Sequence, residues 1–358
     1  MLAISMAGGL SAAAWLATRF DPWGQAQAAY DRQDYRAALK SAREHLKNWP
    51  TDRRASLLAA RSLSRLGRSP AAEEHYKHAG PLDPDDLQAR AYGFVNTDQP
   101  GRAAEVYEEI LKLRPADALA LKRLAAIRMS EKRWPLVLEL ADRLSRIPSE
   151  AVAGYTMAGI GHHESKHYTQ AVASFERVLQ LDPELVDMPL PRPLFWNNFA
   201  LDLIGLGRAG EARAYLQKVL ANTDDAGLME VLGLTYHMDG NPVEAERCWR
   251  QAVAWDPGNV EAWLELARLA MKRGKWDEAI RMLEPAAERS PEMVEPVYSL
   301  SLAYRQLGKT AEAVRYQQRA EELRRLKPPR GGMGEMPVEP AVDVRTASPG
   351  SRAKGASR

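Results

Sequence analysis

The chain has 358 residues, of which 45% are apolar and 27% are charged. This composition is typical of a folded protein with a polar surface, and the length allows a large buried core. The formal net charge of +2 gives no indication of a nucleic-acid partner. The single cysteine, Cys248, excludes a disulfide or a cysteine-based metal site within one chain.

The first 18 residues, MLAISMAGGLSAAAWLAT, contain no charged side chain. As a helix, this stretch would be about 27 Å long, close to the thickness of a bilayer core. It lacks a basic region before it and a clear A-x-A cleavage site after it. We interpret residues 1–22 as a membrane anchor or signal-like segment, tethered through residues 1–18, which predicts a membrane-anchored or exported protein. The alternative is a buried amino-terminal helix in a cytoplasmic protein.

From residue 23 onward, one pattern recurs with a period near 34 residues. A small residue lies in the middle of an apolar run, and a proline follows twelve residues later. A period held this long is typical of a repeat array. The pairs are Ala38 and Pro50, Ala72 and Pro84, Ala103 and Pro115, Ala171 and Pro183, Ala245 and Pro257, and Ala279 and Pro291; Leu136 and Pro148 are a degenerate copy, and Ala212 and Ala313 mark copies without the proline.

Each unit has the pattern of two antiparallel helices. In the unit from residue 260 to 293, apolar residues recur every three or four positions, first from Trp263 to Ala270 and again from Trp276 to Ala286. Gly274 allows a tight turn between the two runs, and Pro291 ends the second. Because a single hairpin cannot bury its apolar faces, neighbouring units must stack.

This repeat resembles the tetratricopeptide repeat (TPR) family over roughly residues 24–327. The family pattern is W-x2-L-G-x2-Y, then A-x3-F-x2-A, then P. The unit from residue 226 to 259 carries it with Leu232, Gly233, Tyr236, Ala245, Trp249, Ala252 and Pro257, and similar residues recur around Tyr155 to Pro183, Gly67 to Pro84 and Tyr304 to Tyr316.

The resemblance implies an all-α, right-handed α-solenoid of about nine helical hairpins. Repeats 1–5 would occupy residues 23–183, and repeats 6–9 with a capping helix would occupy residues 195–327. The resemblance also implies a scaffold or assembly factor that binds a peptide or helix of a partner in the concave groove of a superhelix. It implies no enzymatic activity and no cofactor.

Three segments depart from the regular repeat. Residues 184–194, ELVDMPLPRPL, form a proline-rich insertion, which we expect to be a surface loop rather than a cover over the groove. The short unit around LQARAYGFVNTDQPG predicts a truncated first helix before Pro115. Residues 328–358 are rich in proline, glycine and small residues, which predicts a disordered tail.

The sequence HESKH matches the zinc-hydrolase motif H-E-x-x-H at His163, Glu164 and His167. On one continuous helix, both histidines would face a zinc ion and the glutamate would activate water. The repeat register instead places Lys166 and His167 in the turn between two helices, so the chain would reverse before the second histidine. A zinc-dependent hydrolase is therefore the weaker alternative, and a self-associating structural array is a third.

The favoured working surface is the groove that the resemblance implies along the first helices. Its polar and aromatic side chains suit an extended peptide or a helix, although each of them also suits a plain solvated helix face. The residues expected to line it are Arg54, Arg61, Arg65, Arg128, His163, Asn197, Glu230, His237, Arg268, Tyr298 and Arg305.

Overall fold

The computed structural model describes residues 21–326, and the regular elements in this range are eighteen α-helices and one short 3-10 turn. The chain divides after Trp255 into two compact units. In the first unit, hairpins 1 to 7 are α1 (Pro22–Asp31) with α2 (Tyr35–Asn48), α3 (Arg53–Arg65) with α4 (Ser69–Ala79), α5 (Pro84–Asn96) with α6 (Pro100–Leu113), α7 (Ala118–Ser130) with α8 (Trp134–Ser145), α9 (Ala151–Glu164) with α10 (Tyr168–Leu181), α11 (Arg192–Gly205) with α12 (Ala209–Leu220), and α13 (Ala226–Met238) with α14 (Pro242–Trp255).

The second unit holds hairpins 8 and 9. They are α15 (Val260–Lys272) with α16 (Trp276–Arg289), and α17 (Val294–Gln306) with α18 (Thr310–Leu326). At 17 residues, α18 is the longest described helix. The prediction of an all-α array of about nine helical hairpins is confirmed. One detail is wrong: α5 is not truncated, because Pro84 serves as its first residue and the helix runs for 13 residues.

Local chemistry sets where the helices begin and turn. Asp52, Asp83 and Asp117 each accept hydrogen bonds from backbone N–H groups at the start of the first helix that follows. Every hairpin turn contains one residue with positive φ, the conformation that ends a helix by a left-handed cap. These turn residues are Gln33, Gly67, Asp98, Lys132, Lys166, Gly207, Gly240, Gly274 and Gly308.

Within a hairpin, a small residue of the first helix lies against a large residue sixteen positions later in the second. A Cβ atom built on Gly159 would lie 2.5 Å from the Phe175 ring, and one built on Gly233 would lie 2.5 Å from Nε1 of Trp249. Both aromatic rings are fully buried. The repeated glycine therefore marks a close approach that the partner ring requires.

Between hairpins, each second helix packs against the following first helix within a unit. The contact between hairpins 5 and 6 is aromatic, since Phe175 of α10 meets Phe195 of α11 edge to face at a centroid distance of 5.2 Å. Phe199 and Tyr215 extend this aromatic cluster at 5.2 Å. These rings join the two sides of the proline-rich insertion into one core.

The insertion occupies residues 182–191, and α11 already includes the last three residues of the predicted segment. The carboxylate of Asp182 accepts the backbone N–H groups of Val186 and Asp187 at 2.9 and 2.8 Å. Leu185 and Met188 are buried in the core. The loop therefore packs against the core. Together with side chains of the second helices α10 and α12, it lines a cleft.

No helix within residues 21–326 combines the length and apolar character needed to cross a bilayer. The predicted anchor at residues 1–18 and the predicted disordered tail at residues 328–358 lie outside the described residues. Both stay predictions.

Candidate functional site

In the first unit, several consecutive first helices lie directly side by side. These contacts join α1 to α3, α3 to α5, α9 to α11, and α11 to α13. Side chains of neighbouring hairpins therefore meet along this surface, which we call the first-helix face. Seven of the predicted groove residues make described polar or aromatic contacts between helices of the first unit.

Two arginines of α3 stack on aromatic rings from the hairpins on either side. The Arg54 guanidinium lies 5.2 Å from the ring centroid of Trp23 in α1, and that of Arg65 lies 4.4 Å from the ring centroid of Tyr92 in α5. Arg54 and Arg65 are exposed, as is Tyr92 at 38%. These contacts hold two cations in fixed positions while leaving them open to solvent.

Arg61 lies between these two arginines in sequence, but its side chain binds an acid of the next hairpin. Its Nε donates to Oδ1 of Asp86 in α5 at 2.5 Å. Asp86 is fully buried, and burial raises the pKa of its carboxyl group. Arg61 therefore compensates a buried carboxylate that the repeat pattern did not single out.

His163 makes the equivalent connection between hairpins 5 and 6. Its Nδ1 lies 2.7 Å from Oδ1 of Asp202, a fully buried residue of α11. The hydrogen bond to Asp202 raises the pKa of His163, since it favours the imidazolium. The signal that could have revealed this pair is Asp202 itself, an acid in the middle of the apolar run FALDLIG.

The pair predicts an order of titration among the histidines. We expect His163 to titrate above its ordinary pKa of 6.5, while burial lowers the pKa values of His75 and His162. Because folding raises the pKa of His163, its contribution to stability is complete below pH 6.5 and is lost as pH rises through the folded value. NMR titration of the imidazole signals measures this order, and Asp202→Asn should move His163 back toward its ordinary pKa. A folded His163 that titrates below the other two contradicts the pairing.

The H-E-x-x-H motif does not form a helical metal site. Glu164 ends α9, Lys166 has a φ of 60°, and α10 begins after His167. His163 is directed to Asp202, while the ring of His167 lies 6.0 Å from that of His162. Within residues 21–326 no three His, Cys, Asp or Glu side chains are grouped as metal ligands.

Arg128 lies away from the first-helix face. Its guanidinium contacts Glu108 of the preceding second helix at 2.6 Å and Glu131 at 2.8 Å, and only 9% of the residue is exposed. It lines a small cavity with Leu136 of α8. The ion pair with Glu108 of α6 orients the Arg128 side chain toward the second helices.

The other predicted groove residues of the first unit are Asn197, Glu230 and His237. Asn197 and Glu230 are half-buried, and the backbone carbonyl of Glu230 accepts the indole N–H of Trp249 at 3.1 Å. His237 is exposed, with its ring 5.7 Å from that of Trp249.

In the second unit, the three predicted residues make contacts within hairpins 8 and 9. Arg268 pairs with Glu265 and with Glu295 of α17. Arg305 donates to Gln317 at 2.6 Å. The guanidinium of Arg324 lies 4.9 Å from the ring of Tyr298.

Sequence reasoning missed the cleft beside the insertion. It has a volume of about 660 Å³, and the rings of Trp196 and Tyr215 stack in its wall at 5.7 Å. Arg192 and Lys218 supply positive charge, and Glu184 supplies one acid. The proline run had indicated only a loop, because the cleft forms between residues about 30 positions apart.

Cys248 is fully buried, and burial raises the pKa of its thiol. A thiol with a raised pKa is a poor nucleophile at neutral pH, so the role of Cys248 is to pack in the core.

Comparison with known proteins gives partial matches. The chain is 25% identical over 179 residues to Protein IFIT1 homolog B of Homo sapiens, covering 47% of this chain and 36% of that protein. It is 27% identical over 163 residues to Protein O-mannosyl-transferase TMTC1 of Homo sapiens, covering 43% of this chain and 18% of that protein. The chain thus spans about a third or less of the curated relatives named here.

Among solved structures, the chain is similar to YrrB, described as a TPR protein with an unusual peptide-binding site, with a TM-score of 0.41 and 20% identity over 55% of this chain and 98% of that one. It is also similar to PilW, a type IV pilus biogenesis factor, with a TM-score of 0.39 and 19% identity over 67% of this chain and 92% of that one.

Family models described as tetratricopeptide repeat match residues 24–86, 154–185, 236–292 and 294–325. These matches fall on the helical hairpins. The chain therefore belongs to the tetratricopeptide repeat family.

Proposed function

We propose that this protein is a protein-interaction scaffold, and that the first-helix face of hairpins 1 to 3 receives an acidic peptide or helix of a partner. The repeat family supports the first part, because stacked hairpins present extended surfaces for binding. The observation that carries the second part is the pair of exposed arginines, Arg54 and Arg65, held on Trp23 and Tyr92.

The geometry favours recognition of carboxylates. Arg54 and Arg65 lie on the same helix, and each lies over an aromatic ring. Arg54 also lies 3.8 Å from the carboxylate of Asp52, but its own side chain stays 72% exposed. A guanidinium with a fixed plane loses less conformational freedom on binding than a free one does. Aromatic and arginine side chains also dominate the energetics of protein interfaces.

Site-specific photo-crosslinking tests this surface. A photo-reactive phenylalanine derivative at Tyr92 on α5 keeps an aromatic ring beneath Arg65 and should capture a partner from cells. The same derivative at Leu113 on α6, which is 56% exposed, is the matched control in the same hairpin. Arg54→Ala with Arg65→Ala should weaken binding of the captured partner roughly ten-fold or more, because two interface side chains are truncated.

The control variant is Lys112→Ala with Lys132→Ala, which removes two exposed charges elsewhere. Equal capture from both positions, or equal weakening by both variants, contradicts the assignment of this face.

The membrane tether and self-association, both predicted from the sequence, are two further proposals. The tether through residues 1–18 is one, and its test is whether removing residues 1–22 releases the chain from cell membranes. Self-association is the other, and a constant molecular mass at every dilution would reject it.

A further inference from the structure

A continuous row of positive charge lies on the second helix of hairpin 1. Arg36, Lys40, Arg43 and Lys47 occupy positions i, i+4, i+7 and i+11 of α2, and all four are exposed. This spacing places them on one side of the helix in a row about 16 Å long. We call these four residues the α2 basic stripe.

The charge of the stripe is largely uncompensated by the protein. Glu44 pairs with Lys47 at 2.6 Å, but both side chains are more than half exposed, so the pair contributes little. Among residues 21–326, no carboxylate forms an ion pair with Arg36, Lys40 or Arg43. Arg68, from the next hairpin, lies beside the stripe and joins it around a shallow cleft of about 520 Å³.

The neighbouring second helices differ from α2 in charge. Counting Lys, Arg, Asp and Glu, α4, α6 and α8 each carry more acids than bases. In contrast, α2 carries four bases and one acid in a chain whose net charge is only +2. A concentrated row of this kind creates a local positive potential that attracts an extended anionic surface.

A further feature of the sequence favours a membrane surface over an acidic protein. The uncharged residues 1–18 precede hairpin 1 closely in sequence. A basic patch close in sequence to an apolar segment is a combination that holds proteins on anionic lipid.

We propose that the α2 basic stripe docks this protein on the anionic headgroups of a membrane surface. Its ligands are lipid phosphate and carboxylate groups, which the four bases contact from one side of the helix. This role is independent of partner binding on the first-helix face, because the stripe lies on a second helix.

Co-sedimentation of the full chain with vesicles tests the proposal. One set contains phosphatidylcholine alone, and the other contains phosphatidylcholine and phosphatidylserine in roughly a two-to-one ratio. The difference between the two sets isolates the charge-dependent contribution from any binding through residues 1–18. We expect stronger binding to the phosphatidylserine vesicles, falling steeply as salt is added.

The stripe variant carries Arg36→Gln, Lys40→Gln, Arg43→Gln and Lys47→Gln. Since each basic side chain contributes roughly five-fold to binding at an anionic surface, the variant with four of them removed should lose roughly 600-fold of the phosphatidylserine-dependent binding. The matched control changes four exposed bases elsewhere to glutamine: Lys112, Arg123, Lys132 and Lys272. It has the same net charge as the stripe variant and should keep most of the binding. Helical circular dichroism confirms that both variants fold.

Equal losses in the two variants would overturn the proposal, because they would show a response to total charge alone. Equal binding of the unmodified chain to the two sets of vesicles would also overturn it. A third arm uses polyglutamate: if the stripe binds that polymer but not the phosphatidylserine vesicles, the stripe is a docking site for acidic protein instead.

Discussion

Replacing Phe195 with alanine should lower the free energy of unfolding of the first unit by about 3–5 kcal/mol. The ring is fully buried and contacts Phe175 and Trp196, each at a centroid distance of 5.2 Å. Its removal leaves a cavity between α10 and α11 and also loses edge-to-face contacts. Urea denaturation followed by circular dichroism measures the change.

The neighbouring residue supplies the control. Leu194 lies one position earlier on α11 and is 45% exposed, so Leu194→Ala should change stability by less than about 0.5 kcal/mol. Hydrogen exchange adds a spatial test, since Phe195→Ala should reduce protection in α10 and α11 before it does so in α1. Similar effects of the two substitutions would show that the aromatic cluster does not join hairpins 5 and 6.

Replacing Gly233 with alanine should cost about 1–3 kcal/mol, although alanine is the better helix former. The added Cβ would lie 2.5 Å from Nε1 of Trp249. That indole is fully buried and donates to the carbonyl of Glu230, so it cannot move aside without losing packing and a hydrogen bond. Thermal and urea denaturation both report the change.

Two further variants separate crowding from helix propensity. Gly210→Ala adds a Cβ with nothing within 4 Å, and it should leave stability unchanged or raise it by up to about 1 kcal/mol. In a Trp249→Leu background, Gly233→Ala should cost much less, because it reproduces the pairing of Ala267 with Leu283 in hairpin 8. An additive double variant would contradict the proposed contact.

Local features of the chain were predictable from the amino-acid order. The 34-residue period predicted the helical hairpins, and Gly274 predicted a turn that has a φ of 73°. The turn that contains Lys166 and His167 was also predicted correctly. These features depend on contacts within a few residues, where spacing and conformational preference act directly.

Contacts between hairpins were not predictable in the same way. By the period, Arg128 and His163 occupy equivalent positions of their repeats, yet Arg128 contacts Glu108 and His163 contacts Asp202. The direction of each side chain depends on which neighbouring helix carries a carboxylate within reach. That acid is 20 residues away along the chain for Arg128 and 39 for His163.

The same distinction explains the candidate surfaces. Periodicity could place Arg54 and Arg65 on a first helix, but only stacking of the hairpins brought Trp23 and Tyr92 beneath them. The α2 basic stripe is the opposite case, since its four bases share a face through helical spacing alone. The order of residues thus specifies what one helix presents, whereas the packing of hairpins selects which neighbouring charge or ring each side chain meets, because those partners come from distant parts of the chain.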